Sequence, residues 1–81
     1  MIDGIDARLR EIFSKLFPVS AADLEDDVRR GKLDGWDSLG HLDLVSELEA
    51  QFAVIIDADR ALDIDTFGAA KRIIASLLND A

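Results

Sequence analysis

Three stretches of apolar residues recur at helical spacing, and no stretch alternates with period two for long enough to make a trusted strand. Ile5, Leu9, Ile12, Phe13 and Leu16 form the first stripe, with Arg8, Arg10, Glu11 and Lys15 between them. Leu44, Val45, Leu48 and Phe52 form the second. On a wheel of about 100° per residue they fall within about 100° of one another. Phe67, Ala70, Ile73, Ile74, Leu77 and Leu78 share the third face. Striped helices in a chain of 81 residues can bury their apolar sides only against each other, so the expected class is all-α. The chain has no cysteine, which excludes a disulfide staple and a thiolate metal cage. A single core of this size supplies only about 3–5 kcal/mol of net stability, and helix packing must provide it.

Local signals set the expected boundaries. The first helix runs over about 3–17, with Asp3 or Asp6 able to cap its start. Pro18 ends it, because the residue before a proline is pushed out of the α region. Residues 18–36 form a long loop. Ser20 and Asp23 resemble a capping box with Asp in place of Glu, which allows one short helical turn. Gly31 and Gly35 mark bends, and Leu24, Val28 and Leu33 suggest that the loop is pinned to the core. The second long helix runs over about 38–52 with Asp37 as N-cap. "FAVIID" (residues 52–57) has strand-like composition but is short, and reads as a buried connection. A short helix follows over about 58–63, with Asp57 and Asp59 as caps. The last spans about 67–79, capped by Asp65 or Thr66. The expectation is a single domain over 1–81, a four-helix bundle with three longer helices and one short third helix.

Nine Lys and Arg against seventeen Asp and Glu give a net charge of −8. That argues against nucleic acid, whose phosphates need clustered basic residues. It suits a soluble protein that meets basic partner surfaces. No apolar run approaches the roughly 20 residues of a membrane span. "MIDGID" lacks the basic-then-apolar order of a secretory signal, so a cytoplasmic location is expected, and separately the chain is expected to be a monomer. Asp57–Asp65 spaces its acids like a calcium loop, but Leu62 and Gly68 stand where Gly and Glu are required, so no metal site is assigned.

The second helix carries the chemistry. Ser38 falls at its start, where free backbone N–H groups favour an anion. Leu39 and Leu42 point away from the core stripe, beside Asp43, Ser46 and Glu47. Two apolar side chains rimmed by acids suggest a contact surface; the alternative is that the 18–36 loop folds over them. Ser38 and His41 are three apart, but nothing supplies an oxyanion hole and a closed cleft, so no catalytic residue is assigned.

The stretch "GWDSLGHLDLVSELEAQF" resembles the acyl carrier protein family, whose signature is Asp-Ser-Leu at the start of the second helix of a four-helix bundle. Asp37, Ser38, Leu39, Asp43, Leu44, Glu47, Leu48, Glu49 and Phe52 match that layout, and the helix order extends the resemblance over essentially the whole chain. The resemblance implies a 4′-phosphopantetheine arm on Ser38, transferred from coenzyme A by a phosphopantetheinyl transferase, with Asp37 and Leu39 beside the attachment point. It implies thioester cargo on the arm's thiol and no enzymatic activity in the carrier itself. Leu39, Leu42, Asp43, Ser46, Glu47 and Glu49 would then face partners: the transferase, an acyl- or aminoacyl-loading ligase, and condensing or acyltransferase enzymes. Gly40, His41, Ser46, Ala50 and Gln51 depart from the common fatty-acid pattern. They favour a carrier dedicated to a specialised lipid, polyketide or aminoacyl route.

Three further residues or groups stand near this helix. His41 falls on the inward side of the wheel and reads as packed and hydrogen-bonded; a functional version would brace the third helix or line an acyl cavity. Trp36 reads as closing the loop over the core, with contact to the arm or a partner as the alternative. Arg29, Arg30 and Lys32 read as a solvated basic cluster.

Overall fold

Among the described residues three α-helices form where the apolar stripes lie, α1 (Ile2–Leu16), α2 (Ser38–Phe52) and α4 (Phe67–Asn79), and a short one, α3 (Ala58–Asp63), forms between the last two. The computed structural model describes residues 2–79, the side chains of residues 2 and 3 excepted. Among the described residues there is no strand, only an isolated antiparallel bridge between Arg29 and Thr66. The molecule is a small helical bundle.

Phe13 is the hub of the core. Its ring meets Phe17, Trp36 and Phe67 edge-on, at centroid distances of 5.7, 5.0 and 5.1 Å. Such edge contacts let the positive ring rim face a neighbouring π cloud. Leu9 and Ile12 of α1, Leu44, Leu48 and Phe52 of α2, and Phe67, Ala70 and Ile74 of α4 belong to the same buried cluster, which Leu24, Ile56 and Ile64 complete from the connections. Leu78 departs from the expected stripe: it lies on the exposed side, while Leu77 is half-buried.

Helix termini follow side-chain chemistry. The Asp37 carboxylate accepts the Gly40 N–H at 2.9 Å, and Asp57 accepts the Arg60 N–H at 2.8 Å. The Thr66 hydroxyl accepts the Ala69 N–H at 3.0 Å. These three caps satisfy donors that the first turn leaves without intrahelical partners. Asp59 instead lies in the first turn of α3, where its charge complements the helix dipole. Asp6 is not a cap either. It lies within α1 and pairs with Arg10 at 2.8 Å and Lys71 at 3.3 Å. The Asp3 side chain lies outside the described residues. α1 ends at Leu16, the last residue of its stripe and one short of the expected boundary: Phe17 still donates to the Phe13 carbonyl, but Pro18 follows and stops the helix.

The 18–36 connection is stitched to the bundle along its length. A 3-10 turn forms at Ala21–Asp23, but the Ser20 side chain makes no capping bond. The turn is closed by the Asp23 N–H on the Ser20 carbonyl, at 2.9 Å. Arg10 reaches over from α1 and donates to the carbonyls of Ala21 and Leu24, at 2.5 and 2.9 Å. Leu24 is buried; Val28 and Leu33 are half-buried against the core. On the other side the first turn of α4 takes up the loop. Phe67 N–H donates to Val28 and Gly68 N–H to Asp26, at 2.8 and 3.0 Å, while Lys71 pairs with the Asp26 carboxylate at 2.5 Å.

Ala53, in the left-handed region at φ 55°, ends α2. The "FAVIID" connection that follows is only partly buried. Phe52 and Ile56 point inward, whereas Ile55 is 85% exposed.

Candidate functional site

Ser38 is the first residue of α2 and its side chain is exposed. The preceding loop sets this position. Gly35, at φ 85°, turns the chain, and the Trp36 side chain drops into the core with no exposed surface. Asp37 then adopts the extended backbone of an N-cap. A β-carbon on Gly40 would collide with the Gly35 carbonyl and press on the Phe17 ring, so the loop lies directly against the first turn of α2. The glycine that weakens helix propensity is what permits this approach.

On the outward side of α2 a row continues from the serine. Leu39 is 76% exposed and Leu42 65% exposed. Asp43 and Ser46 are also exposed. The spacing of 39, 42, 43 and 46 places the four on one helix face. The 18–36 connection does not cover the two leucines; it packs against α1, the start of α4 and the inward side of the first turn of α2.

The remaining acids of α2 have other partners. Glu47 accepts from Gln51 at 2.9 Å and from Lys15 of α1 at 3.2 Å. These hydrogen bonds, Gln51's first, hold its carboxyl below the usual carboxylate range. Glu49 is half-buried and accepts the Ile56 N–H at 2.8 Å, which fixes the chain leaving α2. Arg8 caps the far end of the helix. Its guanidinium lies 4.3 Å from the Phe52 ring centroid and donates to the Gln51 carbonyl. The two sides of α2 thus divide the work: Leu39, Leu42, Asp43 and Ser46 face outward, while Glu47 and Glu49 tie the helix to its surroundings.

His41 is 8% exposed and joins three elements. The Trp36 indole N–H donates to its Nδ1 at 3.0 Å. Its Nε2 lies 2.7 Å from the Ala61 carbonyl of α3. Indole can only donate, so Nδ1 accepts and Nε2 carries the ring proton toward Ala61. The histidine is therefore packed and hydrogen-bonded, and it also braces the short helix. Trp36 closes the loop over the core; it stacks on Phe17 and His41 at centroid distances of 6.0 and 6.3 Å.

Two exposed apolar residues lie outside the sequence pattern: Leu62 at 65% and Ile55 at 85%. Leu62 follows Ala61 in the chain, as Leu42 follows His41, so both leucines flank the same α2–α3 contact. A six-residue helix offers too little periodicity to assign a face. The Asp57 carboxyl at the head of α3 is held below its usual range, chiefly by the backbone N–H of Arg60. Among the described residues no group of three or more His, Asp or Glu side chains is arranged to hold a metal ion. Nor is any helix among them long and apolar enough to cross a membrane.

The chain matches no protein-family model and no curated protein.

Proposed function

We propose that the chain is a carrier of acyl groups, held as thioesters on a 4′-phosphopantetheine arm at Ser38 and delivered to the enzymes of a specialised lipid, polyketide or related pathway. The observation that carries this reading is the exposed Ser38 at the mouth of α2, followed on the same outward side by exposed Leu39 and Leu42. The residues present suit the arm. The serine hydroxyl is open to a transferase, and a helix start favours a phosphodiester. Asp37 has its carboxylate engaged by the Gly40 N–H, which fixes the turn that presents the serine.

In this reading the Ser38 oxygen bonds to the phosphorus next to pantetheine in coenzyme A. The pyrophosphate link breaks, the nucleotide bisphosphate leaves, and the serine proton passes to the transferase. When bound, the arm would supply the thiol that a cysteine-free chain lacks. Leu39 and Leu42 would seat in apolar recesses of the partner, and Asp43 would meet its Lys or Arg. Such charge contacts mainly speed encounter and set orientation.

Mass spectrometry tests the reading. After incubation with coenzyme A and a broad-specificity phosphopantetheinyl transferase, the chain is expected to gain about 340 Da, and the Ser38→Ala variant to gain nothing. Absence of an adduct with several transferases would favour an unmodified acidic adaptor that binds partners through the same face.

A further inference from the structure

We propose that His41 is a specificity-determining latch: it closes the seam between α2 and α3, so that cargo tethered at Ser38 stays outside the bundle. This rests on the reading of Ser38 as the attachment point. An apolar chain fixed there lies at the head of α2, within a turn of His41, whose ring meets the Ala61 carbonyl of α3. Such a chain gains by leaving water only if the seam opens for it.

The seam is held by polar bonds. Trp36, fully buried, donates to His41 Nδ1, and His41 Nε2 donates to the Ala61 carbonyl of α3. A chain entering between α2 and α3 must break at least one of these bonds. The group left behind would be a buried indole N–H, ring nitrogen or carbonyl without a partner, which forfeits its full solvation. An apolar chain offers no hydrogen bond in return. Leu44, one turn beyond His41, and Ile64, at the end of α3, are both fully buried members of the core. Other parts of the surface carry clefts. One of about 100 Å³ runs between α1 and α2, lined by Arg8, Glu11 and Lys15 among others. A groove of about 360 Å³ follows the 18–36 connection beside Val19, Val28 and Leu33. Neither is lined by a residue of α3. The cargo class that fits is short or polar, a group that has little to gain from a hydrocarbon interior.

The absence of cysteine gives a direct test, independent of any transferase. Ser38→Cys creates one thiol, to which methyl and octyl groups are attached as disulfides with alkyl methanethiosulfonates. Trp36 is the only tryptophan, so its single indole N–H resonance reports on the bond to His41. With His41 intact, the two adducts are expected to melt within about 1 °C of each other and to show the same indole shift. An octyl adduct that melts more than about 4 °C above the methyl adduct, or that moves the indole resonance, would overturn the latch. In a second pair of adducts carrying His41→Leu, octyl is expected to raise the melting temperature over methyl; equal melting there would also overturn it. The comparison with His41 intact stands alone if the leucine variant does not fold. A carrier with an open seam and a chain that never accepts the arm are separate results, since the mass test on Ser38 reads only the latter.

Discussion

A β-carbon on Gly40 has no room because the Gly35 carbonyl occupies its place. The contact joins the last bend of the long connection to the first turn of α2, two residues from Ser38. It fixes the height at which the serine emerges. Alanine ordinarily gains about 1 kcal/mol over glycine inside a helix, but forced overpacking costs about 1–3 kcal/mol. Because the neighbour here is backbone, the collision prevails. Gly40→Ala is expected to destabilise by about 1–2 kcal/mol in urea unfolding, and a stabilised variant would show that the loop yields easily.

Trp36 and His41 make a second local dependence. Trp36→Phe removes the indole donor and leaves His41 Nδ1 buried without a partner. It also leaves a gap beside Phe13 and Phe17. The combined loss is expected to be about 2–4 kcal/mol, measured by chemical denaturation. A loss below about 1 kcal/mol would mean that water or another group replaces the indole.

The ion pairs of Asp6, Lys71 and Asp26 give a pH dependence whose sign can be stated. The Asp6 carboxyl is held below its ordinary value of 3.8, chiefly by the Arg10 guanidinium. Its stabilising contribution is fully present above that ordinary value and disappears as pH falls through the lower folded value. Lys71 is raised above its ordinary 10.5, chiefly by the Asp26 carboxylate, so its contribution is lost as pH rises through the folded value. The side chains of Asp6 and Lys71 retain 32% and 26% of their exposure, and that of Asp26 retains 71%, so each pair is worth under about 1 kcal/mol. Asp6→Asn is expected to lower stability slightly at pH 7 and to flatten the acid limb below about pH 4. An unchanged acid limb in melting curves would assign it to other carboxylates.

Leu39 and Leu42 separate stability from recognition. Both are largely exposed, so Leu39→Ala and Leu42→Ala are expected to change unfolding free energy by no more than about 0.5 kcal/mol. If they seat in partner recesses, kcat/KM for arm transfer to Ser38 is expected to fall about tenfold. Asp43→Asn is expected to weaken the salt dependence of that rate, because exposed charges are screened within about 8–10 Å at ordinary ionic strength. Wild-type kinetics in both leucine variants would remove them from the contact surface.

What could be read from the chain is what the chain repeats locally. Leu44, Leu48 and Phe52 identify a buried face by spacing alone, and the same wheel sets Leu39 and Leu42 outside it. Asp37, Asp57 and Thr66 precede helices in the order that capping requires. Contacts between distant segments leave no such period. Nothing in sequence pairs Arg10 with the carbonyls of Ala21 and Leu24, or Lys71 with Asp26. For the same reason Glu47 and Glu49 read as free acids on a recognition face, although Lys15 and the Ile56 N–H engage them. Gly40 reads as a weakness of the helix, because its reason is the carbonyl of a residue that the helix does not contain. Ile55 and Leu62 lie in segments too short to reveal a face.

Arg10 grips the 18–36 connection from the first helix, while Lys71 and the amides of Phe67 and Gly68 grip it from the last. The first and last helices therefore share one fastening. The two helices are thus tied to each other through the loop as well as through the core, and if Ser38 bears the proposed arm, reach toward a partner comes from that arm rather than from movement of the helices.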